Sequence, residues 1–340
     1  MAPTQISRFD QVVDEITQIG FNLHKKTLVD HALLNAPHVK KSIKELPPLK
    51  GKKAQSGIVI SAGPSVHNRN SIKRIKESGY GGTIIAVDGS YIASLKMGLI
   101  PDFVMSLDPH PTRMVRWFGD HEFEKNSAND DYFARQDLDV EFRKNTIEQN
   151  KRHIAIVNEY GRQTKALVAS SVPRNVVQRL EESKFDMYWW NPLVDDPHAP
   201  GSITREMYNI NHLPCVNTGG TVGTAAWVFA DSVLKLPQIA VVGMDLGYYH
   251  DLPKEKTQTF YELQAHLKGA DSLDACFIEF EFPLTKEKFY TDPTYFWYRR
   301  NFLELLSLSK SLTFNCTEGG TLFDEKLQCV NLDEFLKQHA

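Results

Sequence analysis

Short apolar runs alternate with helix-like segments along most of the chain. In residues 57–62, 83–88 and 101–108 the apolar side chains occupy consecutive positions instead of alternating with charged ones. Such runs are typical of strands that are buried on both faces, as in a parallel sheet. Further strands are predicted at residues 153–158, 186–190, 239–242 and 311–315, and the alternation of apolar and charged residues predicts another at 277–283. The pattern therefore predicts an α/β fold with a mostly parallel, Rossmann-like sheet flanked by helices.

Helical spacing of apolar residues marks the first 47 residues, beginning at Phe9, Val12 and Ile16. Two prolines at positions 47 and 48 end it. We predict a helical N-terminal segment over residues 1–50, which either packs on its own domain or serves as a docking or dimer element. An α/β domain follows over residues 51–340, with an insertion at about 117–151. Further helices are predicted at residues 70–78, 91–97, 172–183, 294–307 and 332–339, and a long loop at residues 191–213.

Charge and cysteine content narrow the class of protein. The 39 Lys and Arg residues nearly balance the 42 Asp and Glu residues, so there is no electrostatic basis for binding nucleic acid or an anionic membrane surface. The four cysteines are scattered and lack the paired spacing of a zinc site, which predicts reduced thiols. Since we find no secretory segment and no apolar run of roughly 18 residues, we expect a cytoplasmic protein without a transmembrane segment. The oligomeric state stays open.

Polar residues follow several of the predicted strands. A Gly-Pro-Ser turn at residues 63–65 comes directly after the first strand, and Asp88 and Asp108 end the next two. Asp245 stands in the same position after the strand at residues 239–242. Ligands of open α/β sheets bind at the carboxyl ends of the strands. We therefore expect these residues to line one polar cleft along a sheet edge.

A glycine-rich turn opens an Ala-rich helix in the second half of the chain. Its glycines are Gly219, Gly220 and Gly223, and Thr218 and Thr221 bring hydroxyl groups to the same turn. Glycine lets a backbone approach a ligand closely, and the start of a helix offers N–H groups to an anion. The turn therefore predicts a phosphate site. The alternative is that the glycines only relieve crowding between helix and sheet.

The chain lacks the P-loop, the nucleophile elbow and the zinc-protease motif, and its first turn lacks the spaced glycines of a dinucleotide site. A cleft with phosphate-binding turns, acids and histidines suits the transfer of a group that a nucleotide activates. His250 and His110 are candidate bases that would deprotonate the acceptor. Tyr248 and Tyr249 either donate phenolic hydroxyls to a phosphate or pack over the mouth of the cleft.

A metal is an open question at this stage. Asp88 and Asp108 could jointly hold Mg²⁺, although two isolated acids are a weak signature. Asp245 would bind a ribose, a metal or a helix start, and its position does not choose among them.

Six short motifs in a fixed order carry a resemblance to known families. The chain resembles the motility associated factor (Maf) glycosyltransferases, is similar to the family of archaeal 6-hydroxymethylpterin diphosphokinases, called MptE-like, and is more distantly similar to bacterial sialyltransferases. The resemblance covers roughly residues 50–336. The motifs are SAGPS at 61–65, AVDG at 86–89, IPDFVMSLDP at 100–109, GGTVG at 219–223, VGMDLG at 242–247 and NCTEGG at 315–320.

The resemblance implies a sialyltransferase-like nucleotide-binding domain that moves a nonulosonic acid from a CMP-sugar to a flagellin hydroxyl or another acceptor in the cytoplasm. It places the nucleotide, by position, at Gly63, Pro64, Ser65, Asp108 and Gly219–Thr221, with Asp245 at the matching strand end. The base would follow the Gly-Met-Asp strand, so His250 and His266 both fit. Typical Maf chains are considerably longer, which puts flagellin as the acceptor in doubt.

Three functions are therefore weighed. The first is a CMP-sugar-dependent glycosyltransferase that requires no cofactor. The second is a diphosphokinase that moves pyrophosphate from ATP to a pterin alcohol with Mg²⁺. The third is a nucleotide-binding protein without catalytic activity.

Overall fold

The computed structural model describes residues 8–126, 140–257, 259–260, 263–264 and 273–339. The strands within them are β1 (Gly57–Ile60), β2 (Thr83–Val87), β3 (Phe103–Ser106), β4 (Lys165–Ala169), β5 (Asp186–Leu193), β6 (Cys215–Asn217), β7 (Gln238–Val242), β8 (Tyr248–Tyr249), β9 (Ile278–Glu281), β10 (Lys288–Thr291), β11 (Leu312–Asn315) and β12 (Gln328–Cys329). Nine of these described strands form one parallel sheet in the order β12–β11–β7–β1–β2–β3–β4–β5–β6. The other three form a small antiparallel sheet in the order β8–β10–β9. The predicted α/β class is confirmed.

Helices flank the large sheet, as predicted. Those in the described residues are Arg8–Asn35, Ser65–Asn68, Ser71–Glu77, Asp88–Lys96, Pro111–Phe118, Phe123–Asn126, Val140–Tyr160, Arg174–Glu182, Ile203–Asn211, Val222–Val228, Pro293–Leu308 and Leu332–His339. None of these helices combines the length and the apolar character that a membrane crossing requires. The boundary predicted between residues 50 and 51 stays a prediction.

The apolar runs of the central strands follow from cores on both faces of the sheet. Ile58 and Ile60 pack in a cluster that includes Phe335 of the C-terminal helix, whereas Val59 packs in the cluster that contains Trp227. Successive strand residues point to opposite faces, so a strand covered on both sides is apolar at every position.

The N-terminal helix Arg8–Asn35 packs on its own domain. The side-chain amide of Asn35 donates to the carbonyls of Ser170 (2.9 Å) and Val172 (2.8 Å), and Nδ1 of His31 lies 2.8 Å from the carbonyl oxygen of Ser171. These three residues follow the carboxyl end of β4. The helix therefore covers that part of the sheet edge and leaves the ends of β7, β1, β2 and β3 as the place for a cleft.

The strand predicted at residues 153–158 is wrong, because these residues belong to the helix Val140–Tyr160. Asn150, His153 and Val157 are buried while the residues between them are partly or fully exposed, and this spacing is helical. The true fourth strand is Lys165–Ala169, which pairs with β3 and β5.

The long loop predicted at residues 191–213 is also wrong in part. Its first three residues continue β5 and pair with β6, and the helix Ile203–Asn211 occupies its second half. Ser202 starts this helix by accepting a hydrogen bond from the backbone N–H of Arg205 at 3.1 Å. Of the predicted insertion at 117–151, residues 127–139 lie outside the described residues.

Candidate functional site

Four neighbouring strands end at the candidate site. The order β7–β1–β2–β3 places Asp245, the 63–65 turn, Asp88 and Asp108 one after another along the carboxyl edge of the large sheet. Residues from four separated parts of the sequence thus meet along the edge where open α/β sheets bind ligands.

The Gly-Pro-Ser turn lies directly against the end of β7. Gly63 donates its N–H to the carbonyl of Gly243 at 2.9 Å, and a Cβ at Gly63 would lie only 2.0 Å from Oδ2 of Asp245. Pro64 is the residue before the short helix Ser65–Asn68. Glycine is needed at position 63 because two strand ends approach each other there, and this approach is within the protein.

Asp245 holds the same turn through its carboxylate. Its Oδ2 accepts a hydrogen bond from Oγ of Ser65 at 2.6 Å, and its Oδ1 accepts from the backbone N–H of Ser65 at 3.3 Å. Burial raises the pKa of Asp245 to about 6, although the bonds from Ser65 favour the charged form. Asp245 is 3% exposed. Its carboxylate therefore holds the 63–65 turn from inside the protein.

The Gly219–Thr221 turn makes most of its contacts inside the protein. The N–H groups of Gly219 and Gly220 donate to Oδ1 of Asn217 (2.9 Å) and Oγ1 of Thr218 (3.3 Å), and that of Thr221 donates to the carbonyl of Thr218 (3.1 Å). A Cβ at Gly220, whose φ is +91°, would lie 2.3–2.7 Å from the rings of two aromatic residues of the helix Pro293–Leu308. The turn is therefore shaped by packing against this helix.

The helix Val222–Val228 keeps donors for a ligand at its start. Thr221 caps it by accepting from the N–H of Thr224 at 3.0 Å, whereas the N–H groups of Val222 and Gly223 have no acceptor inside the helix. Gly223 faces the end of β1, since a Cβ there would lie 2.6 Å from Oγ of Ser61.

The hydroxyl group of Ser61, at the end of β1, is buried. The residue is 6% exposed, and its Oγ has no hydrogen-bond partner within the described part of the chain. A buried polar atom without a protein partner costs free energy unless water or a ligand satisfies it. The hydroxyl of Ser61 and the first amides of the Val222–Val228 helix are therefore polar groups at this edge whose hydrogen bonds the described contacts do not complete.

Asp88 and Asp108 occupy the ends of β2 and β3. Asp88 is buried at the start of the helix Asp88–Lys96, and its Oδ1 accepts from the N–H of Gly89 at 2.7 Å. Oδ1 of Asp108 accepts from the N–H of His110 at 2.8 Å. Mg²⁺ commonly uses one or two carboxylates together with substrate phosphates and water, and Asp88 and Asp108 are the carboxylates at these two strand ends. Among the described residues, no group of three or more His, Cys, Asp and Glu side chains could hold a metal.

The three-stranded sheet follows β7 directly. Tyr248 donates its hydroxyl to Oδ2 of Asp292 at 2.9 Å, so it braces the start of the helix Pro293–Leu308, where Asp292 is the N-cap. The ring of Tyr249 packs on that of Phe289 at 4.9 Å, and burial raises the pKa of its phenol. Both tyrosines contact neighbouring aromatic rings, and their position over the mouth of the cleft stays a prediction.

His250 lies at the rim of a cavity of about 530 Å³ beside the small sheet. Its Nδ1 is 3.3 Å from Oε1 of Glu279, and its side chain is 54% exposed. A carboxylate on one ring nitrogen orients a histidine and leaves the other nitrogen for proton transfer. His266, the other candidate from the same region, lies outside the described residues.

Comparison with known proteins adds a family to this geometry. Residues 30–127 match the family described as 6-hydroxymethylpterin diphosphokinase MptE-like. This part of the chain is similar to that family, and we call residues 30–127 the MptE-like region. The resemblance stated from the motifs is confirmed over this region, which contains β1, β2 and β3. No curated protein matches the chain significantly.

A solved structure extends the likeness beyond the MptE-like region. The Maf glycosyltransferase from Magnetospirillum magneticum AMB-1 matches with a TM-score of 0.51 and 16% identity over 92% of the chain. The matched part is 40% of that protein, so the chain spans about two fifths of its length. At this level of identity the match shows a shared fold.

The MptE-like region also contains a candidate site residue that the sequence analysis did not identify. Ser61 belongs to the SAGPS motif, but a serine before the turn gives no sign of its bonding. Its significance appears only when Gly223, far away in sequence, is seen to pack against it. A buried hydroxyl beside the first amides of a helix can be recognised only in three dimensions.

Proposed function

We propose that the chain is a Maf-type glycosyltransferase that moves an acidic, nonulosonic or sialic-like sugar from a CMP-sugar to an acceptor hydroxyl. His250 takes the hydroxyl proton as the acceptor oxygen bonds to the sugar, and the bond between the sugar and the CMP phosphate breaks. The phosphate keeps the electron pair of that bond. The acceptor is a glycan or a protein such as flagellin, and the reaction takes place in the cytoplasm.

This proposal rests on the arrangement of residues at the end of β1. There the hydroxyl of Ser61 lies beside the start of the helix Val222–Val228, whose first amides can donate to an anion. We place the CMP phosphate at this point. The turn at residues 63–65, which is hydrogen-bonded to Asp245, then fixes the backbone geometry next to the nucleotide. The fold shared with a Maf glycosyltransferase supports the class of reaction.

A diphosphokinase is the second candidate, and the match of residues 30–127 to the MptE-like family favours it. In this case ATP replaces the CMP-sugar, and Asp88 and Asp108 hold Mg²⁺ against its phosphates. A divalent cation supplies charge neutralisation during phosphoryl transfer. The two candidates therefore differ in nucleotide and in metal dependence.

Calorimetry with CMP, CDP and ATP, each with Mg²⁺ and with EDTA, separates them. Binding of CMP that EDTA leaves unchanged supports the glycosyltransferase, whereas binding of ATP that EDTA abolishes supports the diphosphokinase. Absence of binding for all three at millimolar concentration would contradict both. In that event the non-catalytic hypothesis would need another ligand.

Replacement of Ser61 by Ala tests the phosphate position. Loss of one hydrogen bond to a charged phosphate should weaken nucleotide binding by roughly tenfold. Ser71→Ala is the matched control, because Oγ of Ser71 is also buried without a partner in the described residues, but Ser71 starts a helix in the cluster on the other face of the sheet. Equal affinities of both variants and the unmodified protein would remove Ser61 from the site.

A further inference from the structure

The cavity beside the three-stranded sheet has a chemistry of its own. Its volume of about 530 Å³ is in the range of small-ligand sites. Phe277 and Tyr290 form a buried aromatic wall, and the carboxylates of Asp251, Glu255 and Glu279 lie around it. A site with this combination of an apolar wall and polar groups at its mouth can bind a ligand.

The charge of the lining is negative. Three carboxylates face one lysine, Lys254, whose ammonium group is already bonded to Asp274 at 2.8 Å. The same ammonium group lies 5.3 Å from the centre of the Phe277 ring, so the wall already accommodates a cation. Burial, together with nearby carboxylates that include Glu255, raises the pKa of Tyr290 to about 12. The cavity therefore repels anions and attracts cations.

Ring contacts connect the cavity to the Gly219–Thr221 turn. Tyr290 contacts Tyr248 at 5.4 Å, Tyr248 contacts Tyr295 at 5.2 Å, and Tyr295 contacts Tyr298 at 6.0 Å. Tyr298 in turn packs on Gly220, just before the helix that we assign to the phosphate. The cavity and the proposed nucleotide position therefore belong to one packed unit.

We propose that this cavity is the acceptor site and that it selects a hydroxyl compound bearing an ammonium or guanidinium group. The donor proposed above is anionic in both its nucleotide and its sugar, so it cannot be the occupant of an acidic cavity. His250 at the rim would then meet the hydroxyl of the acceptor. The assignment to an acceptor rests on the proposed function, whereas the preference for a cation rests on the lining alone.

Two cationic probes test whether the ammonium or guanidinium group belongs to a protein segment or to a small amine. One is the peptide acetyl-Gly-Arg-Ser-Arg-Gly-amide, which represents a basic protein segment, and the other is spermidine, which represents a small amine. The peptides with Gln or Glu in place of both Arg residues are the neutral and acidic counterparts. We expect calorimetry to show binding of the Arg peptide that weakens with salt, weaker binding of the Gln peptide and none of the Glu peptide. Binding of spermidine without the Arg peptide would assign the cavity to small amines.

Charge variants locate the binding. Replacement of both Glu255 and Glu279 by Gln should lower the affinity for the Arg peptide by about tenfold, since two exposed ion pairs are lost. Glu281→Gln is the matched control, because Glu281 lies on the same face of β9 as Glu279 but outside the cavity lining. Thermal unfolding of each variant shows whether the fold is intact. Equal loss in both variants, or loss in neither, would overturn the assignment of the cavity.

Nucleotide binding is measured on the same samples to separate the two proposals. Nucleotide binding without any preference for cationic probes refutes the cationic acceptor and leaves the transferase intact. A cation preference without nucleotide binding refutes the transferase and leaves a cation site. Nucleotide affinity that falls together with peptide affinity in the Glu255 and Glu279 variant would contradict a separate acceptor site.

Discussion

Asp245 at the carboxyl edge of the large sheet is buried, whereas His250 and Glu279 at the cavity beside the small sheet are exposed to solvent. Asp245 is 3% exposed at the edge and is bonded to Ser65 on both carboxylate oxygens. His250 and Glu279 at the cavity are 54% and 60% exposed, and they contact each other. Groups that are buried and bonded to each other fix a geometry, whereas exposed groups remain available for proton transfer. In the proposed function, the edge is therefore the scaffold that holds the nucleotide, and the cavity supplies the base.

Removal of the histidine from the cavity should have the largest effect. In His250→Ala, turnover with a bound nucleotide should fall by roughly 10²–10⁴, the usual contribution of a general base, while nucleotide affinity stays nearly unchanged. Steady-state kinetics and calorimetry measure the two quantities. His121→Ala is the control, because His121 is also exposed near a carboxylate, 3.7 Å from Oε2 of Glu182, but in another part of the protein.

Full activity in His250→Ala would place the base elsewhere. His110, which follows β3, and His266, which lies outside the described residues, would be the next candidates. The cavity would then not supply the base, and the proposed division between edge and cavity would be wrong.

Adding a side chain at Gly220 should destabilise the packing of its turn against the helix Pro293–Leu308. In Gly220→Ala the new Cβ lies 2.3 Å from the ring of Trp297 and 2.6 Å from that of Tyr298, at a φ of +91°. Overpacking and backbone strain together should lower the free energy of unfolding by about 3–4 kcal/mol, measured by urea denaturation. Gly51→Ala is the matched control, since its φ is +58° but no atom lies within 4 Å of the new Cβ.

The control variant should lose only about 1–2 kcal/mol, the cost of the left-handed conformation alone. Similar losses in Gly51→Ala and Gly220→Ala would show that the turn does not depend on packing against the Pro293–Leu308 helix. The glycines would then have to be explained by a ligand.

Much of the scaffold could be predicted from the sequence because it depends on local patterns. Buried parallel strands are apolar at every position, which gave β1, β2, β3 and β7. The run His153–Asn158 shows the limit of this criterion. Its Ile and Val residues suggest a strand, but their burial follows a helical period that only the neighbouring helices impose. The strand Lys165–Ala169 was missed because Ala and Leu do not distinguish strand from helix.

The roles of the site residues were harder to predict than their positions. The apolar runs placed the 63–65 turn, Asp88 and Asp245 at strand ends, but a sequence does not show which hydrogen bonds are already made. The partners of Asp245 and the isolation of Ser61 depend on contacts between strands that are remote in sequence. The cavity was not predicted at all, since its acids and rings come from three separate segments.

The smallest predicted effect concerns the carboxylate of Asp245 and its dependence on pH. Burial raises its pKa from 3.8 in the unfolded chain to about 6. A raised pKa means that the contribution of the group to stability is complete below about pH 4 and is lost as the pH rises through 6. Asn at this position does not titrate. The stability of Asp245→Asn relative to the unmodified protein should therefore increase between pH 4 and pH 7, by about 3 kcal/mol.

A carboxylate with the opposite shift provides the control for this titration. Burial alone would raise the pKa of Asp195, but hydrogen bonds from Ser202 and Thr204 hold it below its ordinary value. Asp195→Asn should therefore show the reverse trend, losing relative stability as the pH rises through the acidic range in which aspartate ionises. Urea denaturation at a series of pH values from acidic to neutral measures both slopes. A flat profile for Asp245→Asn would mean that Asp245 is ionised without cost, as a group facing a ligand or solvent would be, and the edge would then share the chemistry assigned to the cavity.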